Sequence, residues 1–385
     1  MQFTKSQTKA IEALKNFLRG DESVICLSGS PGTGKSFLIK EAIPKLVRET
    51  NYELVTTATT NKASSLLKDG ITIFKAYGVT VYGDENDGDI KMNFKNLKDL
   101  RNSVIIIDEV SMLDYRLWAI ILDHSHNCKF ILVGDKNQLP AIKGDADVFN
   151  KYPVVELKEV VRQKDPDFLA LIEKAKEGVE NKELITIESS NCVHFIDSRE
   201  DVDNLLKDFG PQDKILAYTN DKVIEYNNHL RQLNDKPKSF VKGDICISRS
   251  FVPHRFEAIR VEEQLIVSKV YKPREIIVCG ITLPVCDIEF EGKEDTYVIS
   301  LDHKKLKKIT ELLASKKLWR DFYSIKEGIV DLRFNNACTV HCSQGSTYNR
   351  VLIDYNDLMV CRNNRPKLVY VALSRAKNDV YIYRS

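Results

Sequence analysis

The sequence of 385 residues contains no apolar run that approaches the roughly 18 residues of a membrane-spanning helix. Its start, Met1 to Lys9, is polar and lacks the apolar segment of a secretory signal peptide. Internal repeats with a period of about 20–50 residues are absent, as are low-complexity tracts. These absences argue against a membrane protein, a secreted protein and a repeat protein.

Cysteine pairs are absent as well. The nine cysteines are odd in number and none belongs to a CxxC pair. This pattern argues against a disulfide framework and favours reduced thiols in the cytoplasm. Cys338, His341 and Cys342 lie close together in the sequence, but no second ligand pair follows at the spacing of a zinc site. We therefore expect a cytoplasmic protein without zinc.

Net charge is also small, at +2 for the whole chain. Total charge therefore neither requires nor excludes a nucleic-acid partner. Local charge is more informative, because six lysines lie between His303 and Arg320. This run is either a phosphate-binding stripe or a solvated helix face, and the sequence leaves both open.

The first third of the chain alternates short apolar runs with helical patterns. Strands separated by helices predict a parallel sheet covered by helices, and hence an α/β fold. The predicted strands are Val24–Ser28, Glu53–Thr57, Val104–Ile107 and Lys129–Val133, and the predicted helices are Asn61–Leu67 and Phe37–Val47, the latter irregular or ended near Pro44.

Two segments depart from this pattern. Val79 to Leu97 is polar and dotted with glycine, which predicts an insertion that carries a hairpin. A second α/β pattern begins near Val154 and returns after Ala337. Within it, Phe240 to Glu294 contains short strands and turns, which predict a small inserted β-barrel.

The clearest motif is a phosphate-binding loop with the pattern GxxxxGK[ST]. It follows a predicted strand and begins a predicted helix, which is the context that such a loop requires. Its glycines let backbone N–H groups converge on phosphate oxygens, and the helix N-terminus adds partial positive charge. Lys35 then reaches the β- and γ-phosphates, while the Ser36 hydroxyl binds Mg²⁺. The predicted ATP-binding residues are Gly29, Ser30, Pro31, Gly32, Thr33, Gly34, Lys35 and Ser36.

Two carboxylates, Asp108 and Glu109, end the apolar run Val104–Ile107 about 70 residues after this loop. A carboxylate at the C-terminal end of a parallel strand lies beside the loop of a neighbouring strand. We expect Asp108 to hold Mg²⁺ through water and Glu109 to act as the general base for the attacking water.

These residues lie within a series of motifs that resembles the superfamily 1 helicases. IIIDEVSMLD (Ile105–Asp114) resembles their motif II and FILVGDKNQLPAI (Phe130–Ile142) their motif III. The remaining motifs follow in the family's order: FTKSQTKAIEAL (Phe3–Leu14) resembles the Q motif, TTATTNKASSLL (Thr56–Leu67) motif Ia, ELKEVVRQ (Glu156–Gln163) motif IV, ACTVHCSQGSTYNRVLID (Ala337–Asp354) motif V and LVYVALSRAKNDVYI (Leu368–Ile382) motif VI.

The resemblance covers almost the whole chain and is strongest to superfamily 1B, the branch of RecD, Pif1 and the phage helicase Dda. It implies two RecA-like motor domains, 1A (1–72 and 104–153) and 2A (154–245 and 334–385). It also implies a hairpin insertion 1B (73–103) and an SH3-like β-barrel insertion 2B (246–333). The implied activity is ATP-dependent movement from 5′ to 3′ on single-stranded DNA, with duplex unwinding in replication, recombination or repair.

The resemblance also assigns further ATP-site residues. Gln7 would read adenine, and Gln138 would sense the γ-phosphate. Arg162 and Arg375 would be arginine fingers, and Gly345 of motif V would line the nucleotide site. ATP and Mg²⁺ are the implied cofactors.

Single-stranded DNA and fork junctions are the implied partners, with a single-strand-binding protein as a further candidate. The implied state is a monomer, in the host cytoplasm if a phage encodes it. Phe94 is either a wedge that splits the duplex or a packing residue, and His341 binds DNA or is a buried structural histidine. The candidate DNA-binding residues are Thr59, Asn61, Phe94, Thr219, Asn220, Thr339 and His341.

Three alternatives remain open at this point. A nucleotide kinase or another metabolic P-loop enzyme would need neither arginine finger and would ignore DNA. A DNA-stimulated ATPase could displace bound proteins without processive unwinding. The same motor could also move with opposite polarity or act on RNA.

Overall fold

The computed structural model describes residues 3–82, 91–141, 144–161, 165–253 and 257–384. The chain divides into two compact units. Unit 1 comprises Met1–Ser198, Leu216–Asn220 and Thr339–Ser385, and unit 2 comprises Arg199–Ile215 and Asp221–Cys338. None of the helices in the described ranges is long and apolar enough to cross a membrane.

The first half of the chain forms a parallel sheet with helices on both faces. The strands of this half of the chain are β1 (Val24–Gly29), β2 (Glu53–Ala58), β3 (Ile71–Thr72), β4 (Thr80–Tyr82), β5 (Lys91–Asn93), β6 (Leu100–Arg101), β7 (Ser103–Asp108), β8 (Ser125–His126), β9 (Lys129–Gly134) and β10 (Val154–Leu157). Its helices are α1 (Lys5–Arg19), α2 (Lys35–Phe37), α3 (Ile43–Val47), α4 (Asn61–Ser65), α5 (Ile73–Tyr77), α6 (Tyr115–Asp123), α7 (Val148–Lys151) and α8 (Pro166–Asn181).

Six of these strands form the main sheet, in the order β10-β1-β9-β7-β2-β3. Every residue of β1, β7 and β9 is buried. Ile106 packs into the core on one face of the sheet, and its neighbours Ile105 and Ile107 pack into the core on the other. Burial on both faces explains why these strands are continuous apolar runs without polar alternation. The predicted α/β fold is confirmed.

Strand β10 differs from the predicted domain organisation. The sequence pattern assigns Val154 to the start of the second motor domain, whereas β10 pairs in parallel with β1 and extends the first sheet by one strand. The reason is backbone pairing along the exposed edge of β1, which an apolar pattern does not reveal.

The helix after the phosphate loop is irregular, as Pro44 predicts. A π-helical segment, Leu38–Ala42, joins α2 to α3 and ends two residues before the proline. Proline has no N–H to donate to the carbonyl of Lys40, so regular α-helical bonding fails at this point. The chain nonetheless stays helical from Lys35 to Val47.

Strands β4 and β5 pair in antiparallel register, with Thr80 opposite Asn93. They are the two arms of the hairpin predicted between Val79 and Leu97. The glycine-rich run 83–89 that joins them lies outside the described residues.

The second half of the chain contains two further sheets. Its strands are β11 (Val193–Ile196), β12 (Lys214–Ala217), β13 (Ile245–Ser248), β14 (Gln264–Val270), β15 (Arg274–Val278), β16 (Ile281–Phe290), β17 (Thr296–Ser300), β18 (Ile329–Val330), β19 (Leu332–Phe334), β20 (Ala337–Thr339), β21 (Tyr348–Asp354) and β22 (Ala376–Tyr383). Its helices are α9 (Arg199–Lys207), α10 (Asn220–Leu233), α11 (His303–Ser315), α12 (Trp319–Gly328), α13 (Tyr355–Leu358) and α14 (Arg365–Leu373).

One of these sheets has the order β11-β22-β21-β12-β20. Strand β22 pairs in parallel with both β11 and β21. Helix α14 is buried on all sides from Leu368 to Leu373, which makes its apolar sequence resemble a strand. It ends at Leu373, two residues before Arg375.

The other sheet has the order β18-β17-β16-β14-β13-β19, with β15 paired to β16. Its first and last strands, β18 and β19, are separated in sequence only by Asp331. A sheet whose two edges are consecutive in the chain must curl back on itself. The SH3-like β-barrel insertion itself stays a prediction. Strand β16 contains Pro284 opposite Glu275 of β15, an unusual residue within a paired strand.

Candidate functional site: a nucleotide-binding cleft in unit 1

The phosphate loop lies where β1 ends and α2 begins. Gly32 and Gly34 have φ angles of 86° and 90°, a region that favours glycine. The ammonium group of Lys35 folds back over the loop, with Nζ 2.5 Å from the Gly29 carbonyl oxygen and 3.2 Å from that of Ser30. The loop thus holds a cation at the point where phosphate oxygens are expected.

Gln7 is buried and joins helix α1 to the loop. Its side-chain oxygen accepts from the Thr4 backbone N–H at 3.0 Å, and its amide nitrogen donates to the Thr33 carbonyl at 3.1 Å. A Cβ atom on Gly34 would lie 2.4 Å from the same amide nitrogen. Gln7 therefore positions the loop and caps a helix, and its predicted contact with adenine stays a prediction.

Asp108 and Glu109 lie at the C-terminal end of β7. The Asp108 carboxylate accepts from the backbone N–H of Glu109 at 2.9 Å. Burial, and secondarily the charge of Glu109, raises the pKa of Asp108 to about 7. Glu109 has a left-handed backbone, with φ of 53°, and its Oε2 atom is buried without a hydrogen-bond partner among the described residues. An unpartnered buried carboxylate oxygen is suited to accept a proton from a bound water.

The residues predicted to hold Mg²⁺ fit that ion chemically. Ser36 offers a hydroxyl and Asp108 a carboxylate, both hard oxygen ligands. No cluster of three or more His, Cys, Asp or Glu side chains suited to a metal occurs in the described ranges. Such a sparse set is typical of Mg²⁺, which takes most of its ligands from phosphates and water.

Arg375 is buried in the same unit, with 2% of its surface exposed. Its guanidinium group donates to the Val371 carbonyl at 3.1 Å, to the Ser346 carbonyl at 3.3 Å and to the Ser374 hydroxyl at 2.8 Å. Burial lowers the pKa of Arg375, and the carboxylate of Glu109 is the strongest charge acting in the opposite direction. A buried cation that interacts electrostatically with the carboxylate predicted to be the general base is the arrangement expected of an arginine finger.

Motif V lies beside the same carboxylate. Gly345 has φ of 72°, and a Cβ atom at this position would lie 3.6 Å from Glu109 Oε1. The preceding residue, Gln344, places its amide nitrogen 3.4 Å from the side-chain oxygen of Gln138. Gln138, Gly345 and Glu109 therefore belong to one cluster, in which Gln138 is buried and Glu109 and Gly345 are half-buried. The predicted nucleotide contacts of Gln138 and Gly345 stay predictions.

Arg162 lies outside the described residues, so its predicted role stays a prediction. The residue before it, Val161, is described and donates its backbone N–H to the Gly32 carbonyl at 2.9 Å. Motif IV therefore contacts the phosphate loop directly.

Five of the seven candidate DNA-binding residues divide into two groups. Thr59, Thr219 and Thr339 use their hydroxyls internally: Thr59 donates to the Glu109 carbonyl at 2.9 Å, Thr219 to Asp357 at 2.9 Å, and Thr339 accepts from the Cys342 N–H at 3.2 Å. Asn61 and Asn220 are exposed at helix starts. Of the two groups, only these asparagines offer uncommitted side chains to an external phosphate.

The remaining two candidates, Phe94 and His341, are half-buried. Phe94 packs against the core under the first sheet, as a packing residue would. Burial lowers the pKa of His341, so its imidazole is neutral at pH 7 and carries no charge for a phosphate. DNA contact by Phe94 or His341 stays a prediction.

The sequence motifs did not single out Tyr370. Its hydroxyl donates to the Asp135 carboxylate at 2.6 Å, and it is also hydrogen-bonded to Ser30 of the phosphate loop. Burial, and then Asp135, raises the pKa of Tyr370 far above its ordinary value, so it stays a donor. Tyr370 thereby links motif VI to motif III and to the loop. The only sequence signal was its position inside motif VI, five residues before Arg375.

Replacing Tyr370 with phenylalanine tests this link. A hydrogen bond to a charged group contributes about 1.5–3 kcal/mol, against about 0.5–1.5 kcal/mol for a neutral pair. We expect Tyr370→Phe to lower the free energy of unfolding more than the control Tyr77→Phe, which removes a 2.6 Å bond to the neutral Ser125 hydroxyl. Urea denaturation measures both. Equal losses would mean that the Asp135 contact contributes no charge-assisted stabilisation.

The fold and the site together define a class: this is a P-loop protein with a RecA-like α/β fold, which carries a phosphate loop and a buried arginine in the same unit. The model of the AAA domain family matches residues 2–198, about half of the chain, and that of the UvrD-like helicase C-terminal domain matches residues 336–383. The chain belongs to this AAA domain family and, within it, to the superfamily 1B helicases of the Pif1/Dda type.

Individual relatives agree with this assignment. The ATP-dependent DNA helicase dda of Enterobacteria phage T4 is 24% identical over 447 aligned positions, which cover 98% of each chain. The ATP-dependent DNA helicase PIF1 of Emericella nidulans is 28% identical over 183 positions, 40% of this chain and 24% of that protein.

Solved structures show the same fold. Pif1 from Bacteroides, in complex with ADP-AlF3 and single-stranded DNA, superposes with a TM-score of 0.57 at 16% identity, covering 99% of this chain and 92% of that one. Pif1 from Candida albicans gives a TM-score of 0.55 at 17% identity, covering 100% and 95%.

Proposed function

We propose that this protein is an ATP-dependent DNA helicase that moves 5′ to 3′ on single-stranded DNA and unwinds duplex DNA in replication, recombination or repair. The observation that carries the proposal is the cluster of Glu109, Gln138, Gly345 and Arg375 in the same unit as the phosphate loop, in which Gln138 and Arg375 are buried and the other two are half-buried. A metabolic P-loop enzyme has no need of this cluster. The T4 relative, aligned over nearly its whole length, is an ATP-dependent DNA helicase.

In the proposed hydrolysis step, the chain's residues act on the triphosphate from two sides. Backbone N–H groups of the loop and the Lys35 ammonium bind its β- and γ-phosphates. Ser36 and Asp108 would hold Mg²⁺, which supplies charge neutralisation when bound. Glu109 accepts the proton of the attacking water, and Arg375 stabilises charge on the transferring phosphoryl group.

Movement would follow from contacts that exist only while the γ-phosphate is present. Gln138 and Arg375 approach it from opposite sides, so ATP favours a closed arrangement of the cleft. Hydrolysis and phosphate release remove those contacts, and the cleft reopens. Each cycle then shifts one motor domain along the strand.

The domain assignment is part of the proposal. Motor domains 1A and 2A would carry the two parallel sheets, the β4–β5 hairpin would be insertion 1B, and the curled sheet between β13 and β19 would be an SH3-like insertion 2B. Single-stranded DNA would cross the two motor domains, with Asn61 and Asn220 on phosphates and without base reading. We further propose a monomer in the cytoplasm, in the host cell if a phage encodes it, with a single-strand-binding protein as a candidate partner.

Tailed duplexes test the proposal. In the presence of ATP, a duplex with a 5′ single-stranded tail should be unwound, and duplexes with a 3′ tail or an RNA tail should not. Strand separation is followed by fluorescence, in parallel with ATP hydrolysis. ATP hydrolysis indifferent to single-stranded DNA would contradict the motor and favour a metabolic enzyme. Stimulated hydrolysis without strand separation would indicate the alternative, an ATPase that displaces bound proteins.

A further inference from the structure

Helix α11 of unit 2 presents a dense row of lysines that the proposed ATP site does not use. Lys304, Lys305 and Lys308 are exposed, and none of them is ion-paired within the part of the chain that the structure describes. Residues 303–328, which span α11 and α12, contain eight basic and three acidic side chains, a net charge of +5. Since the whole chain carries +2, the other residues sum to −3. The positive charge is therefore concentrated in one place.

The fold holds this row rigidly. On its opposite face, α11 buries Ile309 and Leu313 in a cluster with Leu283 and Val285 of strand β16. Three lysines are thus displayed on a helix that is fixed to a sheet. Two more lysines, Lys316 and Lys317, follow the last residue of α11. At a helical rise of about 1.5 Å per residue, Lys316 lies about 18 Å along the helix axis from Lys304.

The positions of these lysines are unfavourable for the helix itself. Lys304 and Lys305 lie in the first turn of α11, directly after the N-cap Asp302, whose carboxylate accepts from the Lys305 backbone N–H at 3.0 Å. The helix dipole disfavours cations at that end by about 0.3–1 kcal/mol each, because the N-terminus is already positive. Lys304 and Lys308 are four residues apart, a spacing at which like charges repel. The Asp302 carboxylate offsets part of this cost, but it forms no ion pair with these lysines in the described part of the chain, so their charges are available to an external anion.

We propose that the lysine row, defined as Lys304, Lys305 and Lys308, binds the phosphate backbone of double-stranded DNA, at a site separate from the single-strand path. This inference rests on the proposed function for its biological setting, but not for its chemistry. A duplex presents one negative charge per about 1.7 Å of axis, so a rigid basic helix meets several phosphates at once. Single strands are bound through stacking aromatics as well, and α11 contains no Phe, Trp or Tyr, the exposed Trp319 lying on the next helix, α12.

Salt dependence of binding gives a quantitative test. Each phosphate contact contributes about 0.9 to the slope of log affinity against log salt for B-DNA. Replacing all three lysines with glutamine should lower the slope for a blunt-ended duplex by about 2.7. Between about 50 and 200 mM salt, the affinity of the unmodified protein should therefore fall about 40-fold more than that of the variant. Fluorescence anisotropy of labelled duplex, with the full chain and no nucleotide, measures this.

A matched control removes the same charge elsewhere. Lys9, Lys15 and Lys40 are exposed lysines of unit 1, and the variant Lys9→Gln/Lys15→Gln/Lys40→Gln should keep the slope of the unmodified protein. The lysine-row variant should melt no lower than the unmodified protein, since the removed charges are unfavourable to α11. Its ATP hydrolysis, stimulated by single-stranded DNA, should also be unchanged.

Three results would overturn the inference: a blunt duplex that is not bound, equal slopes for the lysine-row variant and the unmodified protein, or a loss confined to single-stranded DNA. The variant Trp319→Ala identifies a single-strand site in this region. Because Trp319 is exposed, its replacement should weaken single-strand binding if a base stacks on its ring. Failure of the proposed helicase function would appear differently. Single-stranded DNA would then not stimulate hydrolysis by the unmodified protein, whatever the slope for the duplex.

Discussion

Replacing Arg375 with alanine should reduce ATP hydrolysis stimulated by single-stranded DNA by about 10³-fold or more, with ATP binding largely kept. The guanidinium is buried and interacts electrostatically with Glu109. In the proposed mechanism it stabilises charge on the transferring phosphoryl group. A loss of 10³ in rate corresponds to about 4 kcal/mol of transition-state stabilisation. Arg375→Lys should recover little of it, because an ammonium cannot reproduce the planar fork of donors. Steady-state hydrolysis and binding of a fluorescent ATP analogue separate the two effects.

Two controls keep this test specific. Arg384→Ala removes a guanidinium from the same unit, where it lies 4.0 Å over the ring of Phe195, and should leave hydrolysis unchanged. Melting temperatures must accompany the rates, because Arg375 also donates to two backbone carbonyls. If a folded Arg375→Ala variant still hydrolysed ATP and separated tailed duplexes at full rate, the proposed motor mechanism would have to be abandoned.

Replacing Glu109 with glutamine should lower hydrolysis by about 10²–10⁴-fold, the usual contribution of a general base. The amide has the shape of the carboxylate but cannot accept the proton of the attacking water. ATP should bind at least as tightly as before, because a negative charge near the triphosphate has been removed. Single-turnover hydrolysis measures the chemical step, and nucleotide titration measures the affinity.

The matched control is Asp123→Asn, which removes one carboxylate from an exposed position at the end of α6. It should change neither quantity. Weaker ATP binding by Glu109→Gln with an unchanged rate of the chemical step would assign Glu109 to nucleotide binding, and another residue would then have to act as the base.

Much of the site could be predicted from short sequence segments, because backbone geometry fixes them locally. The loop Gly29–Ser36 needs glycine at 32 and 34 for their positive φ angles, and both occur there. The pair Asp108–Glu109 follows an apolar run that is a buried strand. Arg375 and Glu109 are 266 positions apart in the chain. Their interaction could be predicted only from the order of the family's motifs.

Other features were not predictable because they depend on long-range packing. The Tyr370–Asp135 bond joins residues 235 positions apart, and nothing local in either segment specifies it. Thr59 and Thr339 appear in the sequence as free hydroxyls, yet each is hydrogen-bonded inside the protein. Strand β10 joined the first sheet because an edge was open beside β1.

The amino-acid sequence by itself determined the chemistry of this protein: a loop that binds phosphate, a carboxylate pair and an arginine in motif VI, each defined by residue type and spacing. The tertiary structure alone decided which of these groups are desolvated and which share a cleft. It also decided which polar side chains are already occupied. The physical reason is that burial and partnership depend on contacts between distant segments, and only folding creates those contacts.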